Sequence, residues 1–206
     1  VPTKEIASQI AKHLNVDDGR KRRTQDSHDK IVSAFLGLLR QGNINPSAED
    51  IAKQANVGLR TVFRRFKEME LLYREVATEI QATFGTEVAK PWISDQWQQQ
   101  LQEMLARKAD IYERLLPYSI AGAYLRQHSS YLKAFNVRWL TIEHEIIMSI
   151  VPFTPAEEPE LFHGLTVSLS NDTWIQYRQD LQLSPSQSHD TMATIMAALI
   201  QAYQNK

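Results

Sequence analysis

The sequence predicts an all-α protein, short helices first and longer ones after, and three observations carry that reading. Apolar residues recur three and four positions apart through nearly every segment after Ser27. No run keeps the two-residue alternation of a strand. Seven glycines and eight prolines in 206 residues are too few for a collagen-like or low-complexity chain, and the composition, 43% apolar and 23% charged, is that of a globular domain.

The elements follow in order. Ile31, Phe35, Leu38 and Leu39 mark one face of a helix from Ser27 to Gln41, and Gly42-Asn43 stops it. Ser47 opens a second, short helix, with Asp50 three residues on, where a capping box wants an acceptor. Ile51, Ala52 and Ala55 point inward, and Asn56 suits a left-handed turn position. A third helix from about Gly58 to Phe66 places Val62 and Phe66 inside. A fourth, about 68–89, carries Leu72, Val76 and Ile80 at four-residue spacing.

From Pro91 the helices lengthen. Trp97, Leu101, Leu105 and Ile111 stripe residues 94–114, and Pro117 is expected to break or kink that helix before a stretch containing Ala121-Gly122-Ala123. Leu132, Phe135, Trp139, Ile142, Ile146 and Ile150 stripe 131–151. Pro152, Pro155 and Pro159 punctuate a loop. Two last helices are expected at 161–181 and 189–203, separated by Leu183-Ser184-Pro185-Ser186. At the start of the chain, Ile6, Ile10 and Leu14 fit either a short amphipathic helix or a frayed extension.

Charge is unevenly distributed. Residues 20–67 hold eleven Lys or Arg against four acids, a net +7, whereas residues 68–206 hold ten against seventeen, a net −7. Such asymmetry points to one segment that meets a polyanion, or else to a solvated face with a compensating partner face. The absence of cysteine excludes a disulfide framework and a thiolate zinc site. No stretch of 18 apolar residues is present, so no membrane span is expected. Residues 1–19 lack the basic start, apolar run and cleavage site of a signal peptide, so a cytoplasmic location is expected.

Within the basic segment, three short helices with a tight turn between the second and third make a helix-turn-helix pattern. The reason is steric: a major groove admits one helix, and the preceding helix must cross the backbone to brace it. The third helix is apolar on one side and basic on the other. Leu59, Arg60, Thr61, Phe63 and Arg64 are expected to face outward.

The run from Ile51 to Phe66, IAKQANVGLRTVFRRF, continued by Leu71-Leu72, resembles the TetR family of transcriptional regulators. It is similar to that family's Ile-Ala, then Ala-Gly-Val, then Thr-Leu-Tyr and, after a variable pair, Phe. The helix-turn-helix segment that carries it, residues 20–67, covers roughly a quarter of the chain. Asn56 stands where the family usually has Gly, Phe63 where it has Tyr, and Met69 where it has Lys. Phe63 keeps the ring without the phosphate-binding hydroxyl, and Arg64, Arg65 and Lys67 stand near enough to supply the charge that Met69 lacks.

The resemblance implies a sequence-specific, double-stranded-DNA-binding regulator, by prior a repressor, that works as a homodimer on a palindrome. Half-sites would lie about 34–36 Å apart or a multiple of that. Leu59, Arg60, Thr61 and Phe63 would approach bases or the adjacent sugar-phosphate, Arg60 as the bidentate partner of a guanine. Ser47, Arg64, Arg65 and Lys67 would hold phosphates. The run Arg20-Lys21-Arg22-Arg23 would reach a minor groove or the backbone, its alternative being a solvated linker.

The implied domains are an extension at 1–19, a helix-turn-helix domain with its basic arm at 20–67, a connecting helix at 68–90, and a helical ligand-binding and dimerisation domain at 91–206. Leu165, Leu169 and Trp174, with Met192, Ile195, Met196, Leu199 and Tyr203, are expected to line the dimer interface, the monomer core, or both. Trp97, Tyr118, Tyr124, Trp139 and Trp174 are expected around a small-molecule effector of apolar or amphipathic character. That effector would act by binding two conformations unequally.

No enzyme is expected. The chain has no Gly-x-Gly-x-x-Gly, no Walker loop, no Gly-x-Ser-x-Gly and no His-Glu-x-x-His, and the dense Glu143-His144-Glu145 points three ways on a helix, so neither metal nor cofactor is expected. The alternative is a helical ligand-binding protein or enzyme that does not bind DNA.

Overall fold

A computed structural model describes residues 25–88 and 90–205, and every regular element among them is helical. The helices are α1 (25–40), α2 (Ala48–Gln54), α3 (Leu59–Arg65), α4 (Met69–Val88), α5 (Trp97–Leu125), α6 (Ser130–Ile150), α7 (Pro159–Ser168), α8 (Asn171–Ile175) with a π-helical turn after it (Gln176–Asp180), and α9 (Pro185–Gln204). The segment around Ile6, Ile10 and Leu14 and the basic run Arg20 to Arg23 lie outside the described residues. No helix among those described is long and apolar enough to cross a membrane. The chain divides into two units between Val76 and Ala77.

In the first unit, α1 buries Ile31 and Phe35 with Val32, Ala34 and Leu39, and Gly42 ends the helical segment at a φ of 88°. The capping box at α2 is complete. Ser47 Oγ accepts from the Asp50 amide at 3.1 Å, and Asp50 Oδ2 accepts from the Ser47 amide at 3.0 Å. Ile51, Ala52 and Ala55 then face inward, as their spacing predicts. Val62 and Phe66 bring α3 onto the same core, joined by Leu72 and Val76 of α4.

Two polar ties fix α1 against its neighbours. Arg65 Nε donates to Ser27 Oγ at 3.0 Å, and His28 Nε2 lies 2.6 Å from Glu75 Oε2 while its ring rests 5.2 Å from that of Phe66.

The second unit is built on α5. Leu101 and Leu105 of that helix meet Ile147, Leu165, Leu169, Trp174, Met192 and Met196, all buried. Each such side chain contributes about 1.5–3 kcal/mol by leaving water. Helices α7 and α9 approach closely at Gly164, where a Cβ would come within 3.2 Å of Leu199 Cδ2.

The structure corrects four sequence expectations here. Pro117 does not break its helix: α5 continues through it for 29 residues. Packing supplies the reason, because Ile111 and Tyr112 are buried before the proline and Ala121 and Leu125 after it. The buried face of α6 keeps only part of the predicted stripe. Ile150 is buried and Ile146 packs against the core, but Ile142 is exposed, and Glu143 and Ile147, which the stripe left out, face inward.

The expected helix at 161–181 is interrupted at Leu169–Ser170. The carbonyl of Leu169 accepts from Lys108 Nζ at 3.0 Å, and the Thr173 amide that would have served it goes instead to Ser170 Oγ at 3.1 Å. Finally, α9 starts at Pro185 rather than near His189. Ser184 and Gln187 form a capping box, and proline suits a first helical position.

Lys108 explains why Glu143 is inside. Its Nζ donates to Glu143 Oε1 at 2.9 Å, and Tyr112 Oη lies 2.9 Å from the same oxygen and 3.1 Å from the Leu169 carbonyl. Burial pushes the Lys108 ammonium below its ordinary range, and Glu143 opposes the shift. Burial also holds the Tyr112 phenol protonated well above its ordinary range. Nearby, Glu113 takes a two-pronged contact from Arg178, Nε at 2.9 Å and Nη2 at 3.0 Å, and accepts from Trp174 Nε1 at 3.2 Å.

Glu143→Ala is expected to destabilise the second unit by about 3–5 kcal/mol, because it strands a buried ammonium. All four tryptophans lie in this unit, so urea unfolding followed by their emission reads it alone.

The hydrogen bonds from Arg178 hold Glu113 below the usual carboxylate range. A folded-state pKa lowered in this way contributes stability above the ordinary value, and that contribution is lost as pH falls through the lowered one. Glu113→Gln should cost about 1 kcal/mol at neutral pH, a modest figure because the carboxylate is 34% exposed, and the difference from wild type should vanish on acidification. Urea midpoints measured across pH check this.

Candidate nucleic-acid interface

The site is assembled from the turn upward. Asn56 sits at a φ of 52°, in the left-handed region, and sends the chain from α2 to α3 within a turn of four residues, 55–58. Its amide closes on the Lys53 carbonyl at 3.2 Å, and that of Val57 on Ala52 at 3.0 Å. Asparagine tolerates this conformation better than other residues with a Cβ.

With Val62 and Phe66 anchored in the core, the other side of α3 is left to solvent. Leu59 is 37% exposed and Phe63 50%, and Arg60 and Arg64 are exposed beside them. These four share one helical face, at i, i+1, i+4 and i+5, with Lys67 exposed just beyond the helix end. Thr61 lies at the border and is partly buried, so it contributes an edge rather than a tip. The outward face therefore holds two guanidiniums, an aromatic ring and a leucine side chain, and the α3 segment has no acidic residue.

Two residues expected at phosphates are already engaged. The Ser47 hydroxyl donates to Asp50 Oδ2 at 2.8 Å while accepting from the Asp50 amide, and the Ser47 amide is also taken. An anion at that helix start would meet the Asp50 carboxylate, which these hydrogen bonds from Ser47 hold below its ordinary pKa. Arg65 is half-buried with its Nε on Ser27 and braces α3 against α1. Arg20, Lys21, Arg22 and Arg23 lie outside the described residues.

The five aromatic residues expected around an effector do not form one site. Because α5 is continuous, Trp97 stands about 31 Å along it from Tyr118 and about 40 Å from Tyr124, at 1.5 Å per residue. Trp97 packs edge-on against Phe153 and Tyr203. Trp174 is buried against Tyr112. Tyr118 and Trp139 are half-buried, and Tyr124 is exposed beside His128.

The residues expected at a dimer interface divide. Leu165, Leu169, Trp174, Met192 and Met196 close the chain's own core, and Leu199 and Tyr203 are half-buried against it. Ile195 is exposed. Sequence reasoning missed a further feature of α9: from Thr191 to Asn205 the helix has no charged residue, although Thr194, Ile195, Ala197, Ala198, Gln201 and Ala202 are exposed. The missing signal was the absence of charge, which a search for apolar stripes does not register.

No family model matches the chain, and no curated protein or solved structure is significantly similar to it.

Asn56→Ala should destabilise the turn by about 1–2 kcal/mol, because alanine gains nothing from the left-handed region, while Asn56→Gly should be neutral or stabilising. Hydrogen exchange of the α2 and α3 amides, faster in the first variant and not in the second, is the check.

Proposed function

We propose that the chain is a sequence-specific regulator of transcription that reads double-stranded DNA with α3. The observation that carries this is the outward face of α3, where Leu59, Arg60, Phe63 and Arg64 stand in solvent on a helix whose other side is locked into a core by Val62 and Phe66. An exposed leucine and phenylalanine beside two arginines suit a groove, with arginines for guanine edges and phosphates and apolar groups for thymine methyls and sugars.

On this reading α2, the turn at Asn56 and α3 form a helix-turn-helix in which α2 braces and α3 inserts. The net +7 of residues 20–67 supplies the sequence-independent attraction. Arg60 reads a base, Arg64 and Lys67 meet phosphates, and Arg65 holds the helix to α1 rather than touching DNA.

Two copies would pair through the uncharged outward side of α9, since the centres of interfaces are depleted of charge. The pair would then read a palindrome. Repression is the output favoured by the sequence resemblance. An effector, if the protein takes one, requires residues other than the aromatic set read from the sequence.

Arg60→Ala combined with Arg64→Ala should abolish binding to duplexes selected from a random pool, with helicity by circular dichroism unchanged. For wild type, log affinity should fall with log salt at a slope near −5 if about six phosphates are neutralised. A selected pool without a palindrome, or binding indifferent to salt, would overturn the reading.

A further inference from the structure

We propose that the outward face of α6 is a self-complementary contact on which a second copy of this chain lies antiparallel. The inference does not rest on the DNA reading, and it concerns a surface other than α9.

The face is unusually apolar for one turned to water. Val137 is 62% exposed and Met148 43%, and Ile142 is exposed at its edge. Its charges are few and ordered. Arg138 stands in the first half of the helix and Glu145 in the second, both exposed, and neither has an ion-pair partner among the described residues. Arg138 only lies over the Tyr131 ring, at 5.9 Å.

The two are seven positions apart, two turns and about 10.5 Å along the same edge of the helix. When two such helices lie antiparallel about a two-fold axis between Thr141 and Ile142, Arg138 of each copy falls opposite Glu145 of the other. Val137 of each then lies beside Met148 of the other. A two-fold contact requires this reciprocity: residue i meets j, and j meets i. A parallel arrangement would set Arg138 against Arg138, so the charges select the antiparallel one. The small side chain of Thr141 lies where the two helices would cross.

The test is a charge reversal read by sedimentation equilibrium at tens of micromolar protein. Arg138→Glu or Glu145→Arg alone should weaken association about tenfold or more, because each reverses two contacts at once. The double variant Arg138→Glu/Glu145→Arg should restore it. The sites are exposed, and helicity checks that each variant is folded.

The absence of cysteine gives a second measurement. Thr141→Cys should form a disulfide-linked pair under mild oxidation. Lys133→Cys should not, since the two-fold would set its copies about 25 Å apart. A wild-type chain that sediments as a monomer, single reversals without effect, a double variant that fails to recover, or cross-linking that does not distinguish the two positions would each overturn the proposal. Pairing confined to α9 would leave association unchanged in all the α6 variants.

Discussion

A single ammonium group, out of reach of water, sets the arrangement of the larger unit. Lys108 projects from α5 into a core of leucine, methionine and tryptophan, where an uncompensated charge costs several kcal/mol. Two partners make it tolerable, the carboxylate of Glu143 on α6 and the carbonyl of Leu169 just past the end of α7. Any slip of α6 or α7 against α5 would separate the charge from one of them. Apolar contacts alone are forgiving of such slips. The buried pair therefore acts on which arrangement forms more than on how stable it is, and Tyr112, one turn along α5, sets its single hydroxyl hydrogen within reach of the same two acceptors.

In the smaller unit the order is local. A capping box, a left-handed asparagine and two buried side chains on α3 follow one another within twenty residues, and each restricts the next. The polar ties from α1, Ser27 to Arg65 and His28 to Glu75, then hold α1 against α3, which is too brief to persist alone, and against α4. What remains on the outside of α3 is determined by what was placed inside.

This difference governs how much of the structure could be read in advance. The short helices, Ser47 as a cap, Asn56 as a turn and the exposure of Arg60, Phe63 and Arg64 were all legible, because each depends on neighbours a few positions away. The body was legible in class but not in detail. The apolar stripe of α6 places Ile142 inside, where the structure exposes it, and it passes over Glu143, which turns inward because a lysine 35 positions earlier meets it. The break after Ser168 depends on that same lysine, 61 positions from Leu169. The aromatic residues were grouped as a pocket on composition, but the helix that carries three of them keeps Trp97 far from Tyr118 and Tyr124.

Pro117 has no amide hydrogen to offer the carbonyl of Glu113, so the longest helix lacks one rung of its backbone ladder there. The side chain of that same residue is clasped by Arg178 and Trp174. The weakest point of the rod is thus splinted from outside by its own carboxylate. The clasp also ties α5, one turn before its proline, to the π-helical turn that carries Arg178 and to Trp174 of α8.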